Sequence, residues 1–491
     1  MYKRALIIIT VLTAFLMLFA LTAYATEDAE LCAAIFKGEG TEENPYLLSS
    51  PSDFSKLAAL VNTGNQAYNS AYYKLSGSID FSGVSSYIPV GKVITELQIK
   101  TSNDGTPQTD KYGNYVYEEI EAEERPFMGY LDGDGYAIRN LTINSSEKVV
   151  GIFGIGKNAV VENLRVENIT VNAERDYSIM AGALFGRYEG NKNKENVRIA
   201  NCHIDGKINA KSNFKKVTAG GITGYHDVKH LTSHITNCRV DVDINALTNS
   251  SVLAGGLVGD VYTGANIEKC VITGSVRAET TGDANANAGA IAARFFFDAW
   301  FGRSASLASD EELWYSKAYN IVNSVKLESL GPHDKNISNT FTRTEEAIIG
   351  NCFYDSRYKV TPTLNAHIGI EKTEEALFDK AFLENTIGLD FENTWTMVLG
   401  RPELISREPY IAYRVNESDI DVQPVGCGSC RVIAAFYLGK RLVTAKPAMY
   451  NEGDELSFNC ENSEYDSVKL FAFGDGIRPL CTNKFFSKQA N

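Results

Sequence analysis

Basic residues are in short supply in this sequence. Its 47 Lys and Arg face 61 Asp and Glu, giving a formal charge of −14 and a pI near 5.1. Nucleic-acid binders need a concentrated basic face, so that class is excluded. Bulk electrostatic attraction to anionic lipid or anionic glycan is excluded on the same ground. After the first 25 residues no apolar run reaches the ~20 residues of a bilayer-spanning helix, so no integral membrane anchor is expected once a leader is removed. A sortase-type sorting signal is missing. So is a lipidation box, since Glu30 in Ala29-Glu30-Leu31-Cys32 stands where a small residue is needed. His-Glu-x-x-His is absent too, which removes the commonest zinc-protease signature. Proline is scarce, 12 against 40 Gly, and Asn is frequent, a composition of many tight turns. The cysteine count is nine, and an odd number in an exported chain argues against a simple disulfide framework.

What is present begins with an export signal. Lys3 and Arg4 precede an almost wholly apolar stretch from Ala5 to Tyr24, and Ala23-Tyr24-Ala25 is a small-x-small cleavage site. The expectation is a signal peptide over residues 1–25, a mature chain from Thr26, and a secreted or cell-surface location.

The body of the chain repeats. A phrase of branched apolar, any residue, Asn, then small or apolar occurs as Ile138-Arg139-Asn140-Leu141 and Val161-Glu162-Asn163-Leu164. It returns as Ile199-Ala200-Asn201-Cys202, Ile235-Thr236-Asn237-Cys238 and, with Lys for Asn, Ile267-Glu268-Lys269-Cys270. Ile321-Val322-Asn323-Ser324 and Ile349-Gly350-Asn351-Cys352 read as the last copies. A second phrase runs between them: Gly151-Ile152-Phe153-Gly154, Ala183-Leu184-Phe185-Gly186, Gly221-Ile222-Thr223-Gly224, Gly256-Leu257-Val258-Gly259 and a worn Ala290-Ile291-Ala292-Ala293.

After each Asn the chain alternates. Cys202, Ile204, Gly206 and Ile208 point one way, and His203, Asp205 and Lys207 the other; Cys238 and Cys270 start matching runs. Period two with one buried face is a strand. Asn and Gly supply the left-handed corners between strands. Strands stacked about every 4.8 Å would bring like residues into ladders. One such ladder is Leu164, Cys202, Cys238, Cys270, Ser324 and Cys352, with free Cys acting as a small hydrophobe. The fold class is therefore all-β, a right-handed parallel β-helix.

These phrases resemble the GLUG-repeat family of bacterial secreted and surface proteins. The resemblance extends to Gly40-Thr41-Glu42-Glu43-Asn44-Pro45-Tyr46-Leu47-Leu48, Ile88-Pro89-Val90-Gly91, Pro126-Phe127-Met128-Gly129 and Leu131-Asp132-Gly133-Asp134-Gly135-Tyr136, and covers roughly residues 36 to 410. It implies a β-helix and export, and no catalytic residues. Such repeats also occur in immunoglobulin-A-type metalloproteases, but without His-Glu-x-x-His that activity does not carry over.

A solenoid needs caps. Ser50-Pro51-Ser52-Asp53 is a helix start, with Ser50 as N-cap, and Phe54, Leu57, Ala58, Leu60 and Val61 form its apolar face. At the other end a short helical segment from Thr373 to Phe391, with Trp395 and Arg401-Pro402-Glu403-Leu404, is expected to close the β-helix. The domain plan is 26–408 for the capped β-helix, with insertions at 93–124 and 294–319, then 409–424 as a linker. Residues 425–491 form a small antiparallel β-sandwich, whose ending resembles a C-terminal module of clostridial secreted proteins.

Several groups invite chemistry. His226, His230 and His234 have metal-like spacing but sit between strands, where loop histidines are the plainer reading. Glu167, Asp205 and Asp241 share one outward column, a spacing that suits a glycosidase pair or calcium. The neighbouring column Arg165, His203, Arg239 neutralises them, so a solvated charge-paired face is expected. Asp132-Gly133-Asp134-Gly135 reads as a turn. Cys427, Cys430, Cys460 and Cys481 lack zinc-knuckle spacing, so no metal and no cofactor is expected there. The insertions carry aromatics: Tyr112, Tyr115 and Tyr117 in one; Phe296, Trp300, Trp314 and Tyr315 in the other. Aromatic loops on a rigid scaffold are where recognition usually sits, although a helical excursion packed on the solenoid wall is the plainer alternative. The functional expectation is a monomeric extracellular binding or display protein, adhesin-like, whose ligand is a glycan or protein surface. The alternative is a polysaccharide-active lyase or glycoside hydrolase working on one face of the β-helix.

Overall fold

The computed structural model describes residues 35–190, 197–228, 233–296, 316–332, 335–345, 347–362, 366–416, 419–460, 464–474, 476, 478–481 and 484–487. The chain is all-β: parallel strands stack coil upon coil into a β-helix. One coil shows the pattern. Val160–Glu162 leads to a corner at Asn163, then Arg165–Arg175 crosses one face, Ile179–Gly182 the second and Phe185–Gly190 the third. Each segment pairs in parallel with its equivalent in the next coil, as in Val161 opposite Ile199, Ala181 opposite Ala219 and Phe185 opposite Thr223.

The corners are chemically explicit. Asn140, Asn163, Asn201, Asn237 and Asn351 all have φ between 52° and 57°, the left-handed region that Asn tolerates. Their side chains chain the coils together: Asn163 Nδ2 donates to Asp132 Oδ1 (3.0 Å), and Asn201 Nδ2 to Asn163 Oδ1 (3.0 Å). Lys269 holds the same corner at φ 52°. Lysine has no short carbonyl with which to stabilise that conformation. Lys269→Asn is therefore expected to stabilise the protein by about 1 kcal/mol, readable as a raised denaturant midpoint at unchanged slope.

One copy of the repeat is out of register with its sequence phrase. The left-handed corner is Asn320 (φ 56°), not Asn323, and Ile321 stands opposite Cys352. The phrase in use is Ala318-Tyr319-Asn320-Ile321, whose leading Ala hides it. Ser324 therefore leaves the ladder. Asn323 instead faces inward opposite Ile272, buried, with Nδ2 donating to the carbonyls of Asn339 and Phe353.

The interior is a stack of ladders. Phe127, Phe153 and Phe185 stack with centroids 4.6 and 5.0 Å apart. Cys202, Cys238, Cys270 and Cys352 project inward as free thiols. The first three each donate to the carbonyl two residues before them at 3.3 Å and to one on the preceding coil at 3.7 to 3.8 Å. Burial pushes the Cys352 thiol up to about 12, and Cys202 and Cys238 are also raised by burial. Cys427, Cys460 and Cys481 are only half-buried. Native-state labelling with iodoacetamide should therefore modify those three while sparing the four inward thiols until the chain unfolds, as peptide mass spectrometry would show.

The helix Pro51–Asn62 forms as expected. Ser50 accepts from the Asp53 N–H, Asp53 accepts from the Ser49 N–H, and Phe54, Leu57, Ala58 and Val61 are buried over the first coil. The far helical segment differs from expectation. Glu374–Leu377, Lys380–Phe382 and Leu383–Ile387, followed by the hairpin Trp395–Val398 and Arg401–Leu404, pack on the flank of the β-helix rather than over its end. The reason is an apolar stretch on that flank: outward-facing Val271, Val322 and Phe353 bury Trp395, Leu377 and Ile387.

The stretch expected to be a linker contains strands. Tyr410–Val415 and Asp419–Val425 pair antiparallel, and the second pairs with Leu456–Asn459. This three-stranded sheet faces a four-stranded one, Cys430–Leu438, Arg441–Tyr450, Ser467–Phe473 and Lys484–Ser487, across a shared core of Ile411, Ile420, Val422, Val432, Phe436 and Leu470.

Candidate functional site

Two features converge on one face of the β-helix. The first is the outward column Arg165, His203, Arg239, which stands in register on consecutive coils. The second is the chain after Trp395, which doubles back across the coils. Arg165 donates to the Leu404 carbonyl (3.0 Å) and lies over the Tyr410 ring (5.1 Å). Glu403 reaches the other two, 3.0 Å from His203 Nδ1 and 3.3 Å from Arg239 Nε. The basic column is therefore charge-paired but not solvated, because the returning strand covers it, while Asp205 and Asp241 beside it stay partly exposed.

The acidic column is also less regular than its sequence. Glu167 and Asn168 together oppose Asp205 across a bulge, where the Asn168 N–H donates to Asp205 Oδ1 (2.9 Å). Glu167 turns instead to Arg139 (3.0 Å) and Arg165 (3.1 Å). Asp205 lies 3.6 Å from His203 Nε2, and Asp241 is 3.5 Å from Arg239. Asp205 and Asp241 do share register.

Burial and charge set the ionisation here. Burial opposes the charged form of Glu403, but Arg239, His203 and Arg165 overcome it and hold the carboxyl at about 2. Glu167 is buried too, and Lys484, Arg165 and Arg139 hold it far below the carboxylate range. His203 is opposed by burial and by Arg165, yet Glu403 and Asp205 raise it above its ordinary value. Burial first, and then the negative charge of Glu403, raise the Tyr410 hydroxyl.

Between this face and the C-terminal module lies a cleft of about 1160 Å³. Its rim carries Lys207, Asp243, Ser275, Lys326, Tyr358 and Tyr413. The four carboxylates at its base, Glu167, Glu403, Asp205 and Asp241, each have a cationic or imidazole partner. A glycosidase general acid must carry a proton, and Glu403 and Glu167, held ionised, do not supply one at neutral pH.

Of the aromatic candidates, Trp300, Trp314 and Tyr315 lie outside the described residues, as does His230. Phe296 ends the strand Ala292–Phe296, half-buried, with the Arg294 guanidinium 5.0 Å from its ring centroid. His226 is not a loop residue. It is fully buried on the strand Thr223–Val228, its Nε2 2.7 Å from Ser233 Oγ, and burial lowers it to about 3, so it is a neutral core group. His234 shares Nδ1 with Asn266 Nδ2 (3.1 Å). Asp132-Gly133-Asp134-Gly135 is a turn closed by Asp132 accepting from the Asp134 N–H (2.8 Å). In the C-terminal module Cys430 enters the core, while the other three thiols pack against it.

The insertion at 93–124 is a β-hairpin, Lys92–Ile99 against Tyr117–Arg125. Its stem docks through Glu121 and Glu124 on Arg187 and through Glu119 on Arg175. Its far end leaves Tyr112, Tyr115 and Tyr117 more than half exposed.

No known family profile matches the chain. Two relatives were found. A halomucin of Haloquadratum walsbyi is 32% identical over 170 residues, which is 34% of this chain and 2% of that protein. A protein of Evansella cellulosilytica named a Gly-rich membrane protein is 28% identical over 187 residues, 37% of this chain and 18% of its own length. The chain thus spans a small fraction of each. No helix among the described residues is long and apolar enough to cross a membrane.

Proposed function

We propose that this is an extracellular display protein of the cell surface, a β-helix of GLUG-repeat type that presents a glycan- or protein-binding surface. The observation that carries the reading is the pairing of all four carboxylates at the base of the cleft. A rigid scaffold with exposed tyrosines on a projecting hairpin, and paired acids at the base of its cleft, favours binding over turnover. A surface setting also accords with the names of both relatives. The test is a glycan array and a panel of surface proteins probed with residues 26–491, alongside assays for new reducing ends and unsaturated uronate on the same polysaccharides. Saturable binding without product is expected. Steady product release, lost on Tyr410→Phe at unchanged thermal midpoint, would establish the polysaccharide-active enzyme instead.

A further inference from the structure

A second, smaller cavity of about 320 Å³ lies away from the cleft, at the corner where Val252–Gly255 and Ala286–Gly289 approach Ala292–Phe296. Its chemistry runs against the chain's. The protein carries a charge of −14, yet the described residues around this cavity include two cations, Lys216 and Arg294, and no carboxylate. The neighbouring acid is Asp260, fully buried behind them. Asp260 takes Arg294 Nε at 2.6 Å and a second bond from Nη2, and Lys216 Nζ at 3.0 Å. One negative charge is thus shared by two positive ones. Arg294 keeps its Nη1 hydrogens and Lys216 two of its three beyond what Asp260 uses.

The rest of the lining is uncharged. Ser251, Asn285 and Asn336 supply hydroxyl and amide groups, and Leu253 and Ala293 an apolar wall. The amides are partly pre-set: Asn287 donates to the Val252 carbonyl (2.9 Å) and accepts from Asn336 Nδ2 (2.8 Å). A bare inorganic anion would use the two cations and leave these groups idle. A carboxylate joined to a ring of hydroxyls would use both sets. The volume is at the small end of the range for ligand pockets, roughly 300–1,000 Å³, room for a single ring.

We propose that this cavity binds one carboxylate-bearing sugar residue. Lys216 and the free edge of Arg294 take the carboxylate, Ser251, Asn285 and Asn336 take hydroxyls, and Leu253 lies along the ring. The assignment rests on the display reading above and specifies its ligand class. Preference for an acidic sugar does not conflict with the overall charge, because Debye screening confines the unfavourable field of distant carboxylates to about 8 Å at physiological salt.

The test is saturation-transfer NMR and titration of residues 26–491 with glucuronate, N-acetylneuraminate, glucose and acetate. An acidic sugar should bind at least tenfold more tightly than either glucose or acetate. Asn285→Asp adds a carboxylate at an exposed rim position and should weaken acidic-sugar binding at least tenfold with no change in thermal midpoint. Lys216→Ala should also weaken it, but with a lowered thermal midpoint, because buried Asp260 loses one of its two counter-charges. Equal retention of acetate, no acidic-sugar binding, or binding unchanged in Asn285→Asp would overturn the assignment. If that happens while the glycan array or protein panel still shows saturable binding, the display reading stands and this site alone fails. If both are blank, both fail.

Discussion

Gly255→Ala should cost about 3 kcal/mol or more and show in the cell as lost soluble protein. Gly182, Gly220, Gly255 and Gly289 form one column, in register on successive coils. Their backbone torsions are ordinary, so the constraint is space. A Cβ on Gly255 would sit 2.0 Å from the Val258 carbonyl oxygen and 2.7 Å from Ala292 Cα on the next coil. Both are backbone atoms held by the stacking, and neither can swing aside. A matched control lies in the strand Ile348–Asp355. A Cβ on Gly350 meets nothing within 4 Å, so Gly350→Ala should stay within about 0.5 kcal/mol. Equal denaturant midpoints for the two variants would show that the column is not close-packed.

Glu403→Gln should release the returning strand from the β-helix face. The substitution keeps the shape but leaves Arg239 and His203 with only the more distant and more exposed Asp241 and Asp205; loss of a buried partner costs up to roughly 3–5 kcal/mol. Hydrogen exchange over residues 395–415 should rise while the inner coils stay protected. The pH dependence has two signs. Glu403 sits at about 2 against an ordinary 4.5, so its contribution is whole above 4.5 and is lost as pH falls through 2. That difference corresponds to about 3 kcal/mol. His203 is raised above 6.5, so its contribution is whole below 6.5 and is lost as pH rises through its folded value. Strand attachment should therefore be tightest between about pH 4.5 and 6.5, and Glu403→Gln should abolish the acid limb. An acid limb that survives in the variant would place the titration on other carboxylates.

The two experiments probe parts of the molecule that differ in how far the sequence discloses them. The coil stack is local in pattern: period-two alternation and a recurrent Asn corner reveal the strands, the inward thiols and the column Arg165, His203, Arg239. The register departs from the sequence phrase at Asn320, where Ala318 replaces the branched residue that marks the other copies, and at the bulge of Glu167 and Asn168. What covers that column is not legible. Arg165 meets Leu404 across 239 positions of sequence, and Arg139 meets Glu408 across 269. A lone Glu in Arg401-Pro402-Glu403-Leu404 has no period to announce its partner. The strands at 410–415 and 419–425 did carry a signal, since Ile420, Val422 and Pro424 alternate inward, but the flanking Pro409 and the polar residues between them read as linker.

The returning segment also changes how the molecule bears load. Along 14 residues it touches the flank at Val271, Val322 and Phe353 through Trp395, then Arg239, His203 and Arg165, and finally Gly135, Arg139 and Ser78 through Arg407 and Glu408. In a bare solenoid each end coil grips one neighbour and can peel away alone. Here a single tie runs lengthwise across the stack, at right angles to the ladders, like a batten nailed over loose planks. Tension applied along the axis is shared among coils that are far apart in the pile. The assembly is then expected to yield in one step when the batten gives, rather than plank by plank from its ends.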